Sequence, residues 1–134
     1  MYERDYLLRL IYLLVESIRR SWITAQKKDD PAGAAEMLEA AIGEATEIDG
    51  AILLSLSPES MASILQVSGT DPRVIEYVAR SLELAAAYQR DAGNDALAHL
   101  RAEQARALAQ AYGLELPEHP EDIADLPEPD DAEL

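Results

Sequence analysis

Three times the chain places a side-chain acceptor directly before a proline: Asp30-Pro31, Ser57-Pro58 and Asp71-Pro72. Proline suits the first position of a helix, where its missing N–H would have no partner anyway, and a preceding Asp or Ser caps the open amides. Each dipeptide is therefore a helix start. Single glycines at Gly50, Gly69, Gly93 and Gly113 each follow an apolar-periodic stretch and read as helix stops. Starts and stops together predict helices over 3–27, 31–48, 58–67, 72–92 and 95–112, with Ala51–Leu56 as a short helix or a loop.

What fills these segments agrees with the punctuation. The chain holds 23 Ala and 19 Leu against 16 β-branched residues and no Phe, which favours helix over sheet. At 134 residues and 49 % hydrophobic content, one packed domain is expected over 1–113. The predicted fold is all-α: antiparallel helical hairpins, led by a long N-terminal helix.

Helical periodicity nominates a core of Ile11, Leu14, Val15, Ile18, Trp22, Leu38, Ile42, Val78, Leu82, Leu97, Leu100 and Leu108. The N-terminal helix carries more apolar surface than that one face. Tyr6, Leu10 and Leu13 follow i, i+4, i+7 spacing on one flank, with Leu8 and Tyr12 on the other. A helix apolar on most sides must be covered on most sides. Tyr6, Leu10 and Leu13 thus form a seam, to be covered by residues 51–68 or by a second chain.

Charge is unevenly spread. The net charge is −15, yet residues 1–28 hold six bases against three acids. Residues 114–134 hold nine acids, no base, and four of the seven prolines. That composition predicts a flexible acidic tail, because proline interrupts helix and like charges oppose collapse. The tail is expected to stay solvated, with a latch across Arg4, Arg9, Arg19 and Arg20, or across basic residues of a neighbouring chain, as the alternative. The overall acidity argues against nucleic acid and anionic membranes as partners. The longest uncharged apolar run, Leu10 to Val15, is six residues, where a membrane span needs about 20. A cytoplasmic protein is expected, and the lack of cysteine excludes disulfides, thiolate zinc sites and thiol nucleophiles.

Two stretches carry resemblances. Gly93, Ala98 and Ala105 form a Gly-x4-Ala-x6-Ala spacing that resembles the second half of a tetratricopeptide repeat, where small residues let paired helices approach closely. The segment Tyr2-Glu-Arg-Asp-Tyr-Leu-Leu-Arg-Leu-Ile-Tyr-Leu-Leu14 and the later Asp49-Gly-Ala-Ile-Leu-Leu-Ser-Leu-Ser-Pro-Glu59 resemble a family of small helical proteins, a domain of unknown function found mainly in Gram-positive bacteria. The resemblance covers most of residues 2–113. It implies an all-helical, repeat-like fold and assigns no catalytic or binding residue.

A search for chemistry yields little. His99 and His119 are the two histidines, and neither belongs to a His-Glu-x-x-His or Glu-x-x-His pattern that would hold a metal. No serine sits in a Gly-x-Ser-x-Gly elbow, and Ser57 reads as a cap. The six glycines are scattered singly, so no phosphate-binding loop forms. No catalytic, cofactor-binding or metal-binding residue is predicted, and no cofactor. The expected role is a non-enzymatic protein–protein interaction module, a helical-repeat-like adaptor with a basic protein or peptide as partner. The alternative is a self-associating structural protein, a homodimer joined through the N-terminal helix.

Overall fold

The structure, a computed structural model, describes residues 2–122. These form six α-helices and no strand: α1 (Tyr2–Lys27), α2 (Pro31–Thr46), α3 (Gly50–Ser55), α4 (Pro58–Ser68), α5 (Pro72–Asp91) and α6 (Asp95–Tyr112). The all-α expectation holds. Each acceptor–proline pair opens a helix as its chemistry requires. Asp30 accepts from the Gly33 amide at 2.9 Å, Ser57 from Ser60 at 3.3 Å, and Asp71 from Arg73 at 2.8 Å. The segment left open between helix and loop is α3, capped by Asp49, which accepts from the Ile52 amide at 3.2 Å.

Three of the four glycine stops lie just past a helix end in the left-handed region: Gly69 (φ 76), Gly93 (φ 86) and Gly113 (φ 67). Gly50 does not stop a helix. It is the first residue of α3, and α2 ends earlier because Glu47 turns left-handed (φ 60) with its N–H on the Gly43 carbonyl at 3.0 Å. Gly50 is instead a point of close approach. A Cβ on Gly43 would lie 3.0 Å from the Gly50 Cα, so both small residues let α2 and α3 meet backbone to backbone.

α1 and α2 run antiparallel, since Tyr6 meets Glu47 at one end and Thr24 meets Met37 at the other. α5 packs against α1, α2 and α6, and α4 packs against α6. Buried side chains form two connected groups. Leu14, Ile42, Leu53, Met61, Leu65, Ile75, Val78, Leu82 and Leu108 anchor one, while Val15, Ile18, Leu38, Leu84 and Tyr88 anchor the other.

Eight of the twelve nominated core residues are fully buried: Leu14, Val15, Ile18, Leu38, Ile42, Val78, Leu82 and Leu108. Ile11 is half-buried against both groups. Trp22 is 37 % exposed, and its neighbour Ser21 is the buried residue at that point of α1. Leu97 and Leu100 are half-buried on α6. The centre of that helix's inner stripe is taken by Arg101 and Gln104.

A flexible tail was expected from residue 114, yet residues 114–122 lie against the body as a strap. The Leu114 amide bonds the Ala109 carbonyl at 2.8 Å, and Leu114 and Leu116 pack on the core. Pro120 is buried. The largely buried Arg80 of α5 donates from Nε to the Pro120 carbonyl at 3.0 Å and from Nη2 to the Asp122 carbonyl. Among the described residues, Arg80 is the side chain whose hydrogen bonds hold the strap's carbonyls. Residues 123–134, with Ile123 and Leu126, lie outside the described residues.

Candidate functional site

Beside the N-terminal half of α1 a groove of roughly 570 Å³ opens. Tyr6 and Leu10 line it together with Leu7, the end of α2 from Ala45 to Ile48, and the α4–α5 turn from Ser68 to Asp71. Tyr6 is 46 % exposed at the rim, where its hydroxyl donates to Glu47 Oε2. Leu10 is half-buried and forms the floor with Leu7, Ile48 and Val74. Leu13 is half-buried against the core and does not line the groove. The structure thus brings together two of the three seam residues. α2 and α5 pack on α1, and from residues 51–68 Ser68 reaches the groove wall.

Two carboxylates mark the rim, Glu47 and Asp71. Hydrogen bonds from the side chain and backbone of Arg73 hold the Asp71 carboxyl below the usual range, and the same contact raises the Arg73 guanidinium. Asp71 accepts from Arg73 Nε and Nη2 at 3.1 Å each. The groove's hydroxyls serve the fold. Thr46 donates to the Ile42 carbonyl at 2.8 Å and Ser68 to Leu65 at 2.9 Å, while Ser68 and Thr70 share a bond of 2.8 Å. No histidine lines the groove. The surface can bind by shape, apolar burial and negative charge.

A second polar feature escaped the sequence reading. Arg101, nearly buried, donates to Glu39 Oε2 at 3.0 Å, to the Leu54 carbonyl at 2.8 Å and to Gln104 Oε1 at 3.1 Å. Gln104 donates to the carbonyls of Leu54 and Leu56 at 3.0 and 2.9 Å. Gln89 joins from α5, donating to Glu39 Oε2 at 3.1 Å. The network satisfies the last carbonyls of α3, which a short helix leaves open. Its signal was present: Leu97, Arg101, Gln104 and Leu108 share one stripe of α6, so two polar residues stand where the pattern wants apolar ones.

Glu83 on α5 is the one described acid with a strongly raised pKa, about 7. Burial raises it most, Arg80 opposes this, and Glu121 of the strap adds to it. Its Oε1 is buried and accepts no hydrogen bond from the described residues. His99 is exposed on α6, and His119 lies 3.5 Å from Glu121. Among the described residues, no group of three or more His, Asp or Glu is arranged to hold a metal, and no helix is long and apolar enough to cross a membrane. No family model, curated protein or solved structure matches the chain, so both resemblances rest on the residues that carry them.

Proposed function

We propose that this chain is a non-enzymatic interaction module that takes a basic protein or peptide segment in the groove beside Tyr6 and Leu10. The observation that carries the reading is the groove itself: an apolar floor of Leu7, Leu10, Ile48 and Val74 under a rim bearing Glu47 and Asp71. Apolar burial supplies affinity, and the acidic rim selects the sign of the partner's charge. The packing order supports a tetratricopeptide-like arrangement, with hairpins α1–α2 and α5–α6 stacked through α2 and α5 and the pair α3–α4 inserted between them. In that arrangement the module is a small adaptor acting in the cytoplasm, without a cofactor.

The second reading is self-association through α1, favoured by the Tyr6 ring, half-exposed at the rim of the groove. One experiment separates the two. Tyr6→Asp changes an exposed rim residue and leaves the floor intact. The wild type should remain monomeric by light scattering at tens of micromolar and retain a basic partner that Tyr6→Asp loses. A wild-type dimer that Tyr6→Asp splits establishes the second reading instead.

A further inference from the structure

The two carboxylates on the rim of the Tyr6 groove are not equivalent. Asp71 is already satisfied: Arg73 donates to it from Nε and Nη2 at 3.1 Å each and from its amide at 2.8 Å. Glu47 is exposed, and among the described residues its partner is the neutral Tyr6 hydroxyl, which donates to Oε2. A phenol orients a carboxylate without neutralising it, and a carboxylate keeps further acceptor sites beyond one such bond. The backbone adds an independent observation. Glu47 closes α2 at φ 60, in the left-handed region, where a Cβ crowds the following carbonyl. Past α4, α5 and α6 the same conformation is taken by Gly69, Gly93 and Gly113. Asp29 (φ 51) is the other described non-glycine residue there, and aspartate tolerates the region well. A glutamate at this turn costs stability that a glycine would restore.

We infer that Glu47 is the specificity-determining residue of the groove, and that it takes a single Lys or Arg side chain of the partner. The inference rests on the groove being the partner site. The carboxylate faces the cation, and Tyr6 holds it in position. The aliphatic stem of the partner's side chain lies on the floor of Leu7, Leu10, Ile48 and Val74, as long basic side chains do on apolar surface. Asp71 takes no part, because Arg73 meets its charge. The groove therefore reads one cation flanked by apolar residues, and not a run of basic ones.

The test uses the full chain and an acetylated, amidated Leu-Arg-Leu tripeptide, with citrulline in place of arginine as its neutral isostere. Binding is followed by NMR titration at the amides of Leu10, Ile48 and Val74, which line the groove. The wild type should prefer the arginine peptide about three- to fivefold, the upper range of a partly exposed ion pair. Glu47→Gln should erase that preference at an unchanged melting temperature. Glu47→Gly should erase it as well, yet raise the melting temperature by about 2–5 °C as the left-handed turn is relieved. Arg73→Gln uncovers Asp71, and should strengthen binding of the arginine peptide. The inference is overturned, with the groove still a binding site, if Glu47→Gln keeps the full preference for arginine or Arg73→Gln leaves affinity unchanged. A lower melting temperature for Glu47→Gly overturns it too, since glycine is then not what the fold favours there. If the wild type binds neither peptide, the groove reading fails and takes the inference with it.

Discussion

Arg101 Nε donates to Glu39 Oε2 across 3.0 Å, joining α6 to α2 through side chains only 6 % and 17 % exposed. The same guanidinium holds the Leu54 carbonyl, so a single side chain closes three elements. Removing one partner of a buried pair leaves the other charge uncompensated, which costs more than the pair contributes. Arg101→Leu should therefore lose about 3–5 kcal/mol in urea unfolding. Arg101→Lys should recover only part, because an ammonium cannot reproduce the forked donors. A loss under about 1 kcal/mol, the range of an exposed pair, would mean that the network is solvated in practice.

Gly43 and Gly50 make a second, tighter prediction. Alanine is the better helix former by about 0.5–1 kcal/mol, yet a Cβ on Gly43 meets the Gly50 backbone at 3.0 Å. Backbone cannot rotate aside as a side chain can, and overpacking costs typically 1–3 kcal/mol. Gly43→Ala should be net destabilising by about 1–2 kcal/mol. A stabilised variant in thermal unfolding would show that α3 shifts freely against α2.

Glu83 gives the pH dependence a sign. Its carboxyl holds a proton to about pH 7 in the folded chain, against 4.5 for an unperturbed glutamate. Between those values the folded state binds more protons than the unfolded one, so this group lowers stability as pH rises through the window. The groups facing it are Arg80 on its own helix and Glu121 on the strap, the latter 3.5 Å from His119. Glu83→Gln should flatten the decline between pH 4.5 and about 7 and raise the melting temperature above it. An unchanged profile in paired thermal melts would place Glu83 in water.

The seam predicts a stability loss whatever its partner. Leu10 and Leu13 are both half-buried against the core. Leu10→Glu with Leu13→Glu should cost about 2–3 kcal/mol, roughly half the full burial value for each leucine. Unchanged stability and unchanged mass would show both side chains to be exposed.

The helix boundaries were legible because each rested on a local device. Asp30-Pro31, Ser57-Pro58 and Asp71-Pro72 need only neighbouring amides to act, as do the left-handed glycines at 69, 93 and 113. Gly50 was misread because close approach and helix termination both select glycine, and only the position of α3 against Gly43 distinguishes them. Tyr6 and Leu10 were legible as surplus apolar surface, but what faces them depends on where the α4–α5 turn falls. Arg80 and Arg101 were not found. A buried arginine looks like a solvated one until its acceptors are known, and those acceptors are backbone carbonyls distant in sequence, at Pro120, Asp122 and Leu54. For Arg101 the apolar stripe of α6 held a clue, whereas the strap's docking left none in its acidic composition.

The most direct measurement of the groove's role is site-specific photo-crosslinking of the full chain in its native host, with a benzophenone side chain replacing Tyr6. A matched probe at Gln110, exposed on α6 and away from the groove, serves as the reference. If the groove takes a basic segment, position 6 gives one dominant adduct that position 110 lacks, and the crosslinked peptide of the partner is rich in Lys or Arg. An adduct of position 6 with a second copy of the chain, equal adducts at both positions, or none at either would contradict the adaptor role.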